Sequence, residues 1–201
     1  IEQRRPIGLR EDLKIRVRPT ALQPHPRGRT FSLLTEVRSG REKVWESETT
    51  ILRRGTGDPN AVSTGMRNEL RTQDESALPA SATWKLGGDL GRRYASVSGD
   101  RNPIHMHALT AKPLGFPGAI AHGMWTKARC LAALGRELPE AFAVAVRFRK
   151  PIVLPARVEF ACTEQGEEID FEVRDAKRGT PHLSGQVEPL PKSKSKGKKA
   201  K

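Results

Sequence analysis

Tyr94–Trp125 reads YASVSGDRNPIHMHALTAKPLGFPGAIAHGMW and places an acid and a histidine five residues apart on a turn-rich segment. Ser98-Gly99-Asp100 and Asn102-Pro103 are turn formers, so this stretch is expected to bend and not to run as one periodic element. Asp100 and His105 flank the bend and can face one volume. A carboxylate beside an imidazole suits general acid–base work near neutral pH. Further on, Gly118-Ala119-Ile120-Ala121-His122-Gly123-Met124 leads into an Ala-rich apolar run, which predicts a helix over 121–134. Gly123 falls near its start, where backbone N–H groups lack intrahelical partners and attract a developing negative charge.

Each residue taken alone has a plainer reading. Asp100 could cap local N–H groups in a turn, and His105 could be a hydrogen-bonded core or surface histidine. Asn102 before Pro103 favours an extended or turn backbone, and Gly123 could serve close packing at a helix start. Together, however, Tyr94, Ser98-Gly99-Asp100, Asn102-Pro103-Ile104-His105 and Ala121-His122-Gly123-Met124 resemble the MaoC-like hydratase/dehydratase family, which includes the (R)-specific enoyl-CoA hydratases. The resemblance spans about Trp84 to Leu190.

That resemblance implies an α+β hotdog fold, a curved antiparallel sheet wrapped around one long helix. It implies catalysis by Asp100 and His105, with the Gly123 N–H as oxyanion donor and Asn102, Tyr94 and His122 in support. It implies no metal or redox cofactor; coenzyme A or an acyl carrier protein arrives as part of the substrate. Active sites of the family lie between two hotdogs, so a homodimer or a double-hotdog pseudo-dimer is the expected working unit. Two positions depart from the pattern. His107 stands where many relatives carry an acid, and reads as a solvent-facing substitution. Leu131 stands eight residues after Gly123, where some members have a serine near the catalytic pair.

Charge and composition bound the alternatives. The chain has 201 residues, a formal net charge of +13 and 36% hydrophobic residues, enough for one or two domains. No long uncharged apolar stretch and no signal peptide are visible, and Cys130 and Cys162 lack metal spacing, which reads as a cytoplasmic chain with reduced thiols. Residues 191–201 hold six lysines and no acid, which leaves +7 on the rest. This Lys-rich end is expected to be a disordered, solubilising tail. Nucleic-acid attachment is the weaker reading, because no aromatic residue is interleaved for base stacking.

Ahead of the motif the chain reads as strands with Gly and Pro turns: Leu13–Arg18, Thr30–Arg38 and Lys43–Leu52. An internal comparison relates them to the end of the chain. Arg4-Arg5-Pro6-Ile7 parallels Arg149-Lys150-Pro151-Ile152, and a strand follows in each copy. Glu36-Val37-Arg38 parallels Glu172-Val173-Arg174, and a third strand closes each series. Residues 1–54 are therefore expected to be the strand-rich, non-catalytic back half of a degenerate hotdog whose front half is absent from this sequence. A linker is expected over 55–82 (with a short helix over Met66–Glu75), the catalytic hotdog over 83–190 and the tail over 191–201. Within the catalytic hotdog, short helices are expected near Asp89–Ala95 and His107–Leu114, and Met124, Ala128, Leu131 and Leu134 should turn the long helix toward the sheet.

The expected activity is a hydro-lyase interconverting trans-2-enoyl and (R)-3-hydroxyacyl thioesters. Three other readings stand beside it: a hotdog subunit that binds acyl thioesters without turnover, a basic nucleic-acid-associated protein, and a thioesterase.

Overall fold

The computed structural model describes residues 1–61 and 78–191. In chain order these form β1 (Glu2–Gln3), β2 (Leu13–Pro19), β3 (Gln23–His25), β4 (Gly28–Ser39), β5 (Glu42–Arg54), β6 (Ala80–Leu86), α1 (Leu90–Ser98), α2 (Pro103–Met106), α3 (Ala108–Ala111), α4 (Gly123–Leu134), β7 (Phe142–Phe148), β8 (Ala156–Gln165), β9 (Glu168–Asp175) and β10 (Pro181–Pro189). The expected helix over Met66–Glu75 and the Lys-rich tail from Lys192 onward lie outside the described residues. β6 begins at Ala80, inside the stretch read as linker. Among the described residues no helix is long and apolar enough to cross a membrane.

Contacts divide the chain into two compact units. Among the described residues the first comprises 1–61, 139–144 and 188–191. Its strands are antiparallel, with β4 between β2 and β5, and β1 between β5 and the first residues of β7. Strict alternation in β2 (LKIRVRP) puts Leu13, Ile15 and Val17 on one face, and register places Ile15 beside Val37 and Val37 beside Trp45. β2 is exposed along its whole length. Two-residue turns suit such hairpins when their first residue tolerates a positive φ, and Gly40 (φ 57°) supplies this between β4 and β5.

The second unit comprises 78–138 and 145–187 among the described residues. Here β9 lies between β8 and β10, and β6 flanks β8. β2-β4-β5 and β8-β9-β10 thus pair in the same order, and each Glu-Val-Arg carries the same ion pair: Arg38 to Glu36 at 2.8 Å and Arg174 to Glu172 at 2.7 Å. The core face of the second sheet is built by Val158, Phe160, Phe171, Val173, Leu183 and Val187, all buried. Gly185 faces Phe171 across the β9–β10 pair, where a side chain would collide with the ring.

α4 differs from the expectation in which face is buried. Thr126, Cys130 and Leu134 point inward, whereas Met124 is 52% exposed, Ala128 is exposed and Leu131 is half-buried. Only Leu134 of the four expected residues lies on the buried face. Thr126 can occupy the interior because its Oγ1 donates to the His122 carbonyl at 3.2 Å and leaves no polar atom unsatisfied. The stretch 107–114 is also not one helix: α3 stops at Ala111 and a 3₁₀ turn, Lys112–Leu114, follows with Pro113 inside it.

Candidate active site

The site is wound up by local hydrogen bonds that the sequence encodes residue by residue. α1 ends on Gly99 in the left-handed region (φ 76°), its N–H returning to the Ala95 carbonyl. The Asp100 N–H then bonds Ser98 Oγ at 3.2 Å, and Asp100 Oδ1 accepts from the Asn102 N–H at 3.1 Å. Asn102 caps α2, its side chain accepting from the Ile104 N–H, with Pro103 at the first helical position. The His105 N–H bonds the Asn102 carbonyl at 3.0 Å. Exposed His107 caps α3 through its Nδ1, which accepts from the Leu109 N–H at 3.2 Å.

Long-range contacts then aim the side chains. The Ile120 N–H donates to the Ile104 carbonyl at 3.0 Å, while the Ala121 N–H donates to Ile152 at 2.9 Å. Ile120 in turn accepts from His105 Nδ1 at 2.8 Å. This bond protonates Nδ1 and leaves Nε2 with a free lone pair, the form a general base needs. His105 is buried, and desolvation pushes its pKa below 6.5, opposed by the bond to Ile120.

His122 is the hub. It is 2% exposed, stacks on His105 with ring centres 3.7 Å apart and receives the edge of Tyr94 at 4.9 Å. Its Nε2 donates to the Asp100 main-chain carbonyl at 3.0 Å and lies 3.7 Å from Asp100 Oδ2. Asp100, half-exposed, thus presents Oδ2 at the mouth of a site whose floor is His105 and His122. His122 is also the N-cap of α4, so Gly123 is its first residue, and the Gly123 N–H has no intrahelical acceptor. The ring of Phe148 rests against Gly123, 3.0–3.2 Å from where a Cβ would stand. Asp100, His105, His122, Tyr94 and Gly123 are therefore assembled in one place; Asn102 shapes the turn through its cap.

One residue escaped the sequence reading. Gly91, buried in the first turn of α1, lies so close to the His105 backbone that any Cβ would overlap it. A glycine in an otherwise good helix pattern was the available signal.

Ligand atoms of Asp100, His105 and His122 lie within 4.8 Å of one another, the one such cluster among the described residues. The imidazoles are stacked at 25°, so their in-plane lone pairs run nearly parallel and converge poorly on an ion held at about 2.0–2.1 Å.

Residues 73–186 match the MaoC like domain family model, more than half of the chain. The chain belongs to the MaoC-like family. It is 36% identical over 195 residues to the 3-hydroxyacyl-thioester dehydratase X of Mycobacterium tuberculosis, covering 94% of this chain and 66% of that protein. The chain therefore spans just under two thirds of that relative's length. The crystal structure of HtdX from the same organism superimposes with a TM-score of 0.78 at 35% identity, over 94% of this chain and 72% of that one. A MaoC-like dehydratase from Phytophthora capsici shares the fold (TM-score 0.75, 18% identity, 96% of this chain and 70% of that one). The fold is the α+β hotdog of this family.

Proposed function

We propose that this chain is a hydro-lyase that interconverts trans-2-enoyl thioesters and (R)-3-hydroxyacyl thioesters. The observation that carries the reading is His105, its Nδ1 bonded to the Ile120 carbonyl, with an Asp100 carboxylate oxygen within 4.8 Å at the N-terminus of α4. Relatives named as dehydratases of 3-hydroxyacyl thioesters and of 3-hydroxybutyryl-CoA support the reaction class.

In the hydration direction, Asp100 Oδ2 and His105 Nε2 hold one water at C3. The water oxygen bonds C3, and His105 Nε2 takes the departing proton. Asp100 Oδ2 receives that proton from His105 and delivers it to C2, so His105 ends neutral and Asp100 ends as a carboxylate, and one water supplies both new bonds on one face. The thioester oxygen gains charge as the enolate forms and is met by the Gly123 N–H and the positive end of the twelve-residue α4. Tyr94, His122 and Asn102 hold the pair in place. No step calls for a metal or redox cofactor, the thioester carrier enters with the substrate, and a paired hotdog, as a homodimer or a double hotdog, is the working unit.

Leu131, half-buried on α4, favours one other reading, a subunit that binds acyl thioesters without turnover. Loss of enoyl-thioester absorbance with crotonyl-CoA, with chiral analysis of product, separates the two. Turnover to the (R)-3-hydroxy product that disappears in Asp100→Asn and His105→Ala supports the hydro-lyase. Tight binding of the thioester with no turnover in the folded chain sinks it.

A further inference from the structure

The helices that carry the site are unusually one-sided in charge. From Leu90 to Arg136, Asp100 is the only acid, against seven lysines and arginines. Arg93, Arg101 and Lys112 are exposed on α1, the Asp100 turn and the 3₁₀ turn, and none has a carboxylate partner among the described residues. Some cations outside these helices are matched: Arg4, Arg5, Arg38 and Arg174 each meet glutamates at 3.0 Å or less. Cations left unpaired around one mouth raise the local concentration of an anionic partner and speed its arrival.

The same elements carry three exposed aliphatic side chains. Val97 on α1 is 86% exposed, Leu109 on α3 is 72% exposed and Leu114 in the 3₁₀ turn is 55% exposed. These elements are one body: α1 packs on α2, α2 on α3, and α3 on the 3₁₀ turn. Thr110 Oγ1 ties α3 to α2 through the Pro103 carbonyl at 2.7 Å. The surface therefore combines aliphatic contact with positive charge beside the Asp100 mouth. Within α1–α3 the single aromatic, Tyr94, is committed to His122, so this surface itself offers no free ring for a nucleotide base. Aliphatic spots on elements that also carry unpaired cations fit the surface of an acidic protein better.

We infer that α1, the Asp100 turn and α3 with its 3₁₀ turn form a docking surface for an acidic carrier protein, which presents the acyl thioester to this site on its flexible phosphorylated arm. The inference rests on the hydro-lyase reading for what the arm delivers, but the docking itself does not.

The test uses the full chain and the Arg93→Glu/Lys112→Glu variant with crotonyl thioesters on three carriers: an acidic acyl carrier protein, coenzyme A and N-acetylcysteamine. For the carrier-protein substrate, kcat/KM is expected to fall about tenfold or more in the variant. A similar fall is expected for the unmodified chain when salt rises from about 0.05 to about 0.5 M. The N-acetylcysteamine substrate, which lacks charge, should be unaffected by either change. An unchanged kcat/KM with the carrier-protein substrate overturns the inference. So does an equal loss with the coenzyme A substrate, which would assign the surface to nucleotide phosphates. If no thioester is turned over, the hydro-lyase reading fails alone. Docking is then read from fluorescence anisotropy of labelled, arm-bearing carrier protein: binding lost on charge reversal upholds it, and absence of binding refutes it.

Discussion

Replacing Gly91 by alanine tests whether the site depends on the close approach of α1 to the His105 turn. A Cβ at this position would overlap the His105 carbonyl oxygen and stand 2.9 Å from its carbon, where ordinary contacts begin at 3.4 Å. Both obstacles are backbone, so no side chain can swing aside. α1 and the turn must separate by about an ångström, a misplacement that costs roughly 10²-fold in rate. That corresponds to about 2.7 kcal/mol of activation free energy. The stability cost is smaller, because overpacking worth about 1–3 kcal/mol is partly offset by about 1 kcal/mol of helix propensity gained over glycine. The expected result is a kcat/KM lowered about 100-fold with crotonyl-CoA while Tm falls by only a few degrees, at about 2–4 °C per kcal/mol for a chain of this size. Gly88→Ala is the control, since a Cβ there meets nothing within 4 Å. If Gly91→Ala turns over within about twofold of the unmodified chain, the positioning argument is wrong.

Four further outcomes are expected. The acid limb of the kcat/KM profile should have its midpoint below 6.5, because desolvation keeps His105 neutral to lower pH than a free imidazole; a midpoint above 6.5 would contradict this. By the same linkage, the unfolded chain binds the extra proton first, so the contribution of His105 to stability is complete above 6.5 and erodes as pH falls toward its lower folded value; His105→Gln should flatten that part of a Tm-versus-pH curve. His122→Ala removes the ring stacked on His105 and the bond to the Asp100 carbonyl, so unfolding should become easier by about 2 kcal/mol and kcat should fall more than KM changes, which denaturant titration and steady-state kinetics report. Burial pushes the Cys130 thiol up to about 12, so a thiol reagent should label Cys162 in the native protein and Cys130 only on unfolding; rapid labelling of both would be inconsistent with the buried face of α4.

Much of the site was legible because it is local. Ser98, Gly99, Asp100, Asn102 and Pro103 act on backbone groups two or three residues away, so their identities already specify the turn that presents Asp100. The Glu-Val-Arg repeat was readable for the same reason, since its ion pair joins residues two apart on one strand face. The buried face of α4 was not. Its apolar residues suggested Met124 and Ala128, whereas the interior holds Thr126 and Cys130, because hydrophobic period ignores a hydroxyl satisfied within its own helix.

By itself the sequence determined the family, the bend between Asp100 and His105, and the helix opening at His122-Gly123, all set by residue types whose effect reaches only a few positions along the chain. The tertiary structure alone decided that His105 is buried with its Nδ1 on Ile120, that His122 touches both His105 and Asp100, and that Gly91 gives α1 room beside the turn. Each of these contacts joins residues 14 to 22 positions apart, where packing and not local propensity chooses the partner.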